Sequence, residues 1–150
     1  MMHIHHMTTP YLSFDPCVCT ALRKTTRAVT RVYDEALSGH GLTTTQFAIL
    51  RYLATDREMA LSRLAERLVM DRTTLYRTLA PIERRGLVTV QSISPRVKAV
   101  TLTSAGARIR EDATRSWEKA QATVTTAIGA ELWPALEKQL SALTDAMVAR

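Results

Sequence analysis

The sequence is poor in cysteine and has no long apolar run, and each absence excludes a class of protein. Two cysteines in 150 residues, Cys17 and Cys19, are too few for a disulfide-stabilised scaffold, so we expect free thiols in a reducing compartment. No apolar run approaches the about 20 residues that a membrane-spanning helix needs. The first residues lack the apolar core of a signal peptide, so we expect a cytoplasmic protein without a membrane partner.

The chain also lacks the motifs of enzyme active sites. It contains no nucleophile elbow, phosphate-binding loop, metal-ligand set or supported pair of carboxylates. Three of its four histidines lie in a predicted loose tail, residues 1–15, with no cysteine or carboxylate at ligand spacing. The fourth, His40, lies beside glycines in a predicted turn. We therefore expect no catalytic activity, no cofactor and no metal site.

Basic residues outnumber acidic ones by 20 to 14, which gives a net charge of +6. Such a balance favours an anionic partner, either nucleic acid or a membrane surface. Most of the excess lies between Ser62 and Lys98, where eight basic and three acidic residues leave a net charge of +5. A segment of this charge is typical of a nucleic-acid-binding element.

Apolar spacing predicts helices near both ends of the chain. The first covers residues 16–38, with a stripe of Leu22, Thr26, Val29, Tyr33 and Leu37. A long helix follows a cap at Thr103 or Ser104 and runs to about Ile128, with an inner stripe of Ile109, Ala113, Trp117, Ala120 and Val124. A last helix tolerates Pro134 in its first turn and carries a stripe of Leu132, Leu136, Leu140, Leu143 and Met147.

A strong helix start lies after the first helix. Thr43 and Gln46 form a capping-box pattern, and Leu42 with Phe47 forms a hydrophobic staple. This helix is predicted to run to about Ala54, and residues 55–58 are predicted to form a polar loop.

Two further short helices are predicted around a turn at residues 69–70. Ser62 is a suitable N-cap for the first and Asp71 for the second, which Gly86 ends. Pro81 cannot donate to the carbonyl of Arg77, so we expect the second helix to kink or loosen there. Two short helices joined by a tight turn are typical of a helix-turn-helix.

Two alternating, β-branched segments, residues 87–93 and 99–103, predict a hairpin with a basic tip at residues 94–98. The predicted fold is therefore mainly α with a small β-hairpin wing. A winged helix-turn-helix covers residues 42–103. The helices of residues 16–38 and 104–150 are left with apolar stripes that need partners, which predicts dimerisation.

The helix that follows Asp71 has two different faces on a helical wheel. Leu75, Leu79 and Ile82 cluster on one side, and Thr73, Arg77 and Arg84 lie opposite, flanked by Arg72 and Tyr76. Guanidinium, hydroxyl and phenol groups suit base edges and phosphates in a major groove. We predict a DNA-binding surface made of Ser62, Arg72, Thr73, Thr74, Tyr76, Arg77, Arg84, Arg96 and Lys98.

These motifs resemble the MarR family of bacterial winged-helix regulators from about residue 17 to 147. The similarity lies in Leu64-Ala65-Glu66-Arg67-Leu68, Thr73-Thr74-Leu75-Tyr76-Arg77 and Glu83-Arg84-Arg85-Gly86-Leu87-Val88. The family's wing pattern is matched at Arg96, Leu102, Thr103 and Gly106, whereas Ser94 replaces its acidic residue. The resemblance implies a two-fold dimer built by the first and last two helices, with a sensor pocket between the dimer interface and the DNA-binding lobes.

The first helix also resembles the organic-hydroperoxide sensor branch of that family, through Cys19 and a tyrosine fourteen residues later, Tyr33. The branch's other two tyrosines would fall at Arg23 and Thr44, so both are missing. With both cysteines inside the helix, Cys17 and Cys19 would point apart and could not form an unstrained disulfide. Cys19 and Tyr33 would be about 21 Å apart along one helix and could meet only between subunits.

The leading hypothesis is a regulator, most simply a repressor, that binds an inverted repeat in double-stranded operator DNA. Two signals remain open. One is oxidation of Cys19 by a hydroperoxide, because a thiol near a helix N-terminus has a lowered pKa. The other is a small aromatic ligand in the pocket. The alternative function is a helical protein–protein adaptor without specific DNA recognition, which would not need a basic wing.

Overall fold

The computed structural model describes residues 17–149, and the predicted tail lies outside them. Six α-helices and three strands follow one another in this part of the chain. Their bounds are α1 Val18–Leu37, α2 Thr44–Asp56, β1 Glu58–Ala60, α3 Leu61–Leu68, α4 Arg72–Arg84, β2 Val88–Ser94, β3 Val97–Leu102, α5 Ser104–Ile128 and α6 Trp133–Val148. A short 3₁₀ helix, Ser38–His40, joins α1 to the turn before α2. The predicted class, a winged helix-turn-helix with added helices, is confirmed.

Three helix starts form as their capping residues predict. Thr43 Oγ1 accepts from Gln46 N at 3.2 Å, and Gln46 Oε1 accepts from Thr43 N at 3.1 Å, which completes the capping box of α2. Asp71 caps α4, and Thr103 caps α5 by accepting from Gly106 N at 3.0 Å. Each bond satisfies a backbone N–H that the helix itself leaves unpaired.

The three strands form one antiparallel sheet in the order β1-β3-β2. Val100 of β3 lies at the centre of the sheet, paired with Met59 of β1 on one side and with Val90 of β2 on the other. The hairpin register shifts between Ser92 and Ser94. The sheet turns its buried residues towards α2, α3 and α4, so the wing and the helix-turn-helix share one core.

Helix α2 contributes more buried side chains to that core than any other element. Phe47, Ile49, Leu50 and Leu53 are all buried, and Phe47 packs against Trp117 of α5 with a ring-centroid separation of 6.1 Å. Helix α1 packs against α5, where Ala113 and Ala120 are buried as the predicted inner stripe requires. Helix α6 differs, because none of its residues is buried.

Several local expectations were wrong. Helix α3 begins at Leu61 with Ala60 as N-cap, so Ser62 lies inside its first turn and caps nothing. Residues 55–56 extend α2 and Glu58 begins β1, a strand that exists only because Met59 pairs with Val100 some forty residues later. The hairpin tip is also tighter than residues 94–98, since Ser94, Val97 and Lys98 are in strands. Helix α4, by contrast, continues past Pro81 to Arg84, and Gly86 follows its end as predicted.

The first turn of α5 lies against the backbone between α4 and β2. A Cβ added to Gly106 would lie 2.0 Å from Leu87 O, and that carbonyl also accepts from Thr103 N at 3.2 Å. Thr103 Oγ1 donates to Gly86 O at 2.6 Å. Only a residue without a side chain allows this contact between the wing and α5.

We predict that Gly106→Ala lowers the free energy of unfolding by about 1–3 kcal/mol, because the methyl group meets a backbone carbonyl that cannot easily move. Urea unfolding followed by circular dichroism measures the change. Gly39→Ala is the matched control, since its added Cβ would have no atom within 4 Å. Equal stability of Gly106→Ala and the wild type would contradict the close contact.

Candidate nucleic-acid interface

Helix α4 is held at its first turn by Asp71. Asp71 Oδ1 accepts from Thr74 N at 2.8 Å, and Asp71 Oδ2 accepts from Thr74 Oγ1 at 2.8 Å. These two bonds lower the pKa of Asp71, the backbone bond contributing most. The carboxylate therefore stays ionised and continues to cap the helix at neutral pH. Thr74 remains exposed, but its hydroxyl proton is committed to Asp71.

The turn between α3 and α4 contains a strained residue. Val69 has φ 52° and ψ 46°, a left-handed conformation that is unfavourable for a β-branched side chain. The turn is closed by Val69 N donating to Glu66 O at 3.1 Å and Met70 N donating to Ala65 O at 2.9 Å. These bonds fix the angle between the two helices in spite of the strain.

The two faces of α4 are placed as the helical wheel predicts. Leu75, Leu79 and Ile82 are buried in the core. The opposite face is exposed and carries Arg72, Thr73, Tyr76, Arg77 and, in the last turn, Arg84. Ser62 is exposed in the first turn of α3. The structure thus presents all of these predicted side chains to solvent.

The wing brings a second set of basic groups to α4. Arg96 at the tip and Lys98 in β3 are both exposed. Lys98 Nζ lies 5.8 Å from the centroid of the Tyr76 ring, within the range of a cation–π contact. Tyr76 therefore connects the wing to α4 and places their positive charges on one continuous surface. Within residues 17–149 Arg96 forms no ion pair. No other carboxylate therefore pairs with it in place of the acidic residue that Ser94 replaces.

The far end of α4 is fixed by Arg85, a residue for which no sequence pattern predicts a role. Arg85 Nη1 donates to Gly41 O at 2.6 Å and Nη2 donates to His40 O at 3.0 Å. His40 Nε2 in turn lies 3.2 Å from Ser116 Oγ of α5. This forked contact joins the end of α4 to the turn that leaves α1. No local pattern indicates it, because the partners are 44 and 45 residues apart.

An apolar groove of about 730 Å³ lies between the first half of α1 and the end of α6. Its walls include Cys19, Leu22 and Thr26 from α1 and Leu143 and Met147 from α6. Val69, the strained residue before α4, also lines it. The groove therefore contacts both the terminal helices and the helix-turn-helix.

None of the helices in residues 17–149 is both long enough and apolar enough to cross a membrane.

A helix-turn-helix domain model matches residues 42–91, which contain α2, α3, α4 and most of β2. No curated protein matches the sequence. Among solved structures, the transcriptional regulator MosR from M. tuberculosis is 34% identical, with a TM-score of 0.81 over 92% of this chain and 100% of MosR. The chain belongs to the MarR family of winged-helix regulators.

Two further solved structures of similar fold each hold a bound molecule. MosR in complex with DNA is 35% identical and has a TM-score of 0.80, over 89% of this chain and 97% of that one. NadR in complex with 4-hydroxyphenylacetate is 23% identical and has a TM-score of 0.69, over 89% of this chain and 96% of NadR. The first supports the assignment of this chain as a DNA-binding transcriptional regulator, and the second shares the fold.

In this MarR-family chain the two cysteines have different environments. Cys17 is the N-cap of α1, with extended backbone angles of φ −83° and ψ 110°. Cys17 therefore lies at the boundary of the helix and not inside it, and no disulfide joins it to Cys19. Hydrogen bonds with Thr20 lower the pKa of the Cys17 thiol, and the bond with the Thr20 side chain contributes most. Cys19 is exposed and lines the groove.

Tyr33, the predicted partner of Cys19, is occupied within its own protomer. Its hydroxyl donates to Gln121 Oε1 of α5, and burial raises the pKa of the phenol. Thr44, at one missing tyrosine position, donates both its backbone N–H and its hydroxyl to Asp34 Oδ1, at 2.7 and 2.6 Å. Arg23, at the other, lines the groove. Within one protomer Tyr33 is thus bonded to α5 and not to Cys19, and neither Thr44 nor Arg23 supplies a second phenol.

Proposed function

We propose that the protein is a dimeric repressor that binds an inverted repeat in double-stranded operator DNA and releases it when a signal reaches the terminal helices. The observation that carries the proposal is the continuous basic surface formed by the exposed face of α4 and the wing, which meet at Tyr76 and Lys98. A helix of this kind enters the major groove while a basic hairpin contacts the flanking backbone. The DNA complex of MosR supports this mode of binding.

Within this proposal, residues near the start of α4 read bases. Thr73 and Arg77 are one turn apart on the exposed face, and the Arg77 fork can bond guanine O6 and N7 together. Ser62, Arg72 and Tyr76 surround them and contact phosphates or sugar, whereas Thr74, whose hydroxyl donates to Asp71, lies beside them without a proton to offer a phosphate. Arg84 lies about 18 Å from Arg72 along the helix, so it contacts the backbone beyond the reading half. Arg96 and Lys98 bind phosphates from the wing.

The second subunit is needed to cover α6 and the adjoining part of α1. Leu132, Leu140, Leu143 and Met147 are between 37% and 57% exposed, which leaves a long apolar stripe facing solvent. A second copy of the chain, related by a two-fold axis, would bury the same stripe on both protomers. Two symmetric recognition helices then require half-sites about 10 base pairs apart between centres.

The signal remains one of two kinds, and the groove beside Val69 supports both. A small aromatic ligand such as the one bound by NadR would fit its apolar wall. Alternatively, an organic hydroperoxide would oxidise the Cys19 thiol to a sulfenic acid and leave as the alcohol. Either event would change the packing between the terminal helices and the turn before α4, and so the separation of the two recognition helices.

The DNA-binding face predicts two classes of variant. Arg77→Ala should cost about 1–3 kcal/mol on the preferred operator and relax sequence preference, because a base contact is lost. Arg96→Ala or Lys98→Ala should weaken all sequences alike and reduce the slope of log affinity against log salt by about 1. Fluorescence anisotropy with an operator selected from genomic fragments, and with a scrambled duplex, measures both effects. Arg108→Ala removes the same charge from an exposed position on α5 and serves as control.

Unchanged affinity and preference in Arg77→Ala would show that the reading face is wrongly assigned. Failure of the wild type to bind any duplex above competitor DNA at moderate salt would instead favour the adaptor function. That outcome would leave the apolar terminal helices as the functional surface.

The proposed dimer predicts a sedimenting species of twice the monomer mass at micromolar concentration. Leu143→Asp should shift it to monomer, because a carboxylate in the apolar stripe would be buried without a partner. Ile93→Asp is the control, since Ile93 is exposed on the wing, away from α6. A monomeric wild type would contradict the proposal.

The two signals are separated by treating wild type, Cys17→Ser and Cys19→Ser with an organic hydroperoxide and measuring operator binding. Oxidation of Cys19 predicts that wild type and Cys17→Ser release DNA, that Cys19→Ser stays bound, and that a thiol reductant restores binding. Cys17→Ser is an informative control because Cys17 is the thiol whose pKa is lowered. Release by all three proteins, or by none, would reject the redox signal and favour a ligand; retention by Cys17→Ser alone would transfer the role to Cys17.

A further inference from the structure

A cleft of about 500 Å³ opens at the base of the sheet and shares no lining residue with the groove between α1 and α6. It lies between the end of α2, the end of β3 and the first two turns of α5. Leu53, Thr103 and Ser104 form part of its wall, and its two charged residues are both arginines, Arg57 and Arg110. No carboxylate lines it. A concave site with cationic walls favours an anionic ligand.

The backbone of Arg57 is held firmly at the edge of this cleft. Arg57 N donates to Leu53 O at 2.7 Å and Arg57 O accepts from Leu102 N at 3.2 Å. Arg57 has φ 57° and ψ −50°, a conformation that is unfavourable for any residue with a side chain. The surrounding bonds maintain it, so the side chain leaves from a fixed point beside the cleft.

Arg110, from the second turn of α5, also lines the cleft and is incompletely paired. Its Nε is buried and has no hydrogen-bond partner within residues 17–149. In that part of the chain neither Arg110 nor Arg57 forms an ion pair. Buried polar groups are normally satisfied, and a guanidinium N–H has no acceptor capacity of its own. Because Nε is out of reach of solvent, a ligand in the cleft would meet the outer nitrogens of this guanidinium.

The nearby carboxylates are already engaged or lie outside the cleft. Asp56 Oδ2 accepts from Arg67 Nη1 at 2.9 Å, and that guanidinium stacks on Tyr52 with its carbon 4.1 Å from the ring centroid. Glu58 is exposed, and its Oε2 lies 3.5 Å from Thr101 Oγ1 at the cleft edge. The start of α5 adds the partial positive charge of a helix N-terminus to the same wall.

We infer that this cleft binds a small oxyanion, a phosphate or carboxylate group, between Arg57 and Arg110. Charge-assisted bonds from two guanidinium groups that line one cleft suit such a ligand. The wing tip lies five residues along β3 from Leu102, about 17 Å away, so the cleft is separate from the DNA-binding surface. A bound oxyanion would join α2 and the sheet to α5 at the base of the wing. This inference does not rest on the proposed repressor function.

Isothermal titration calorimetry with inorganic phosphate and with acetate, at constant ionic strength and without DNA, tests the site and distinguishes the two ligand classes. We expect saturable binding of at least one anion to the wild type in the millimolar range. Arg110→Met and Arg57→Gln should each weaken it about tenfold or more, the loss expected for a charge-assisted bond. Arg108→Gln, an exposed arginine of α5 outside the cleft, should bind as the wild type does.

Circular dichroism shows whether each variant is folded, and Arg57→Gln tests the site even if Arg110→Met does not fold. The melting temperature of the wild type should also rise with the concentration of the anion that binds, as ligand binding to the native state requires. Absence of saturable binding to the wild type would overturn the inference. Equal affinity in wild type and in the folded cleft variants would do the same, because it would indicate a different site.

Discussion

The position of α4 depends on one buried amide. Gln46 is 8% exposed, and its Oε1 closes the capping box of α2 while its Nε2 donates to Thr78 O of α4 at 3.4 Å. One side chain thus starts α2 and ties it to α4, in a core otherwise made of apolar groups. Arg85 fixes the far end of α4 to the turn after α1. Between these two polar contacts, leucine packing leaves α4 a single orientation, with its polar face exposed.

Much of this fold could be predicted because its signals are local. A capping residue and its partner are three positions apart, and an apolar stripe repeats within a single helix, so Thr43, Asp71 and Thr103 were predictable from their neighbours. Strand β1 could not be predicted, because its three residues become a strand only by pairing with β3. Ser62 illustrates the opposite error, in which a good capping residue lies one position past a helix start that the sheet determines.

The candidate sites show the same difference between features that local sequence predicts and contacts that only the fold creates. The exposed face of α4 follows from helical periodicity alone, and the structure leaves Arg77 and its neighbours exposed as expected. The contact of Lys98 with Tyr76, the fork of Arg85 and the pairing of Tyr33 with Gln121 join residues from distant parts of the chain. Side-chain chemistry names candidates for such contacts, but only the folded backbone selects the pairs.

The lack of buried residues in α6 has a consequence for how the protein would behave at low abundance. In the proposed dimer, the last sixteen or so helical residues gain a core only from a second molecule, so their stability depends on protein concentration as well as on sequence. A newly made chain would expose an apolar helix until it met another. The number of copies in a cell would then set the fraction of operator that is occupied. It would also set how long an unpaired chain persists before it is degraded, so the rate of synthesis would affect the rate of degradation.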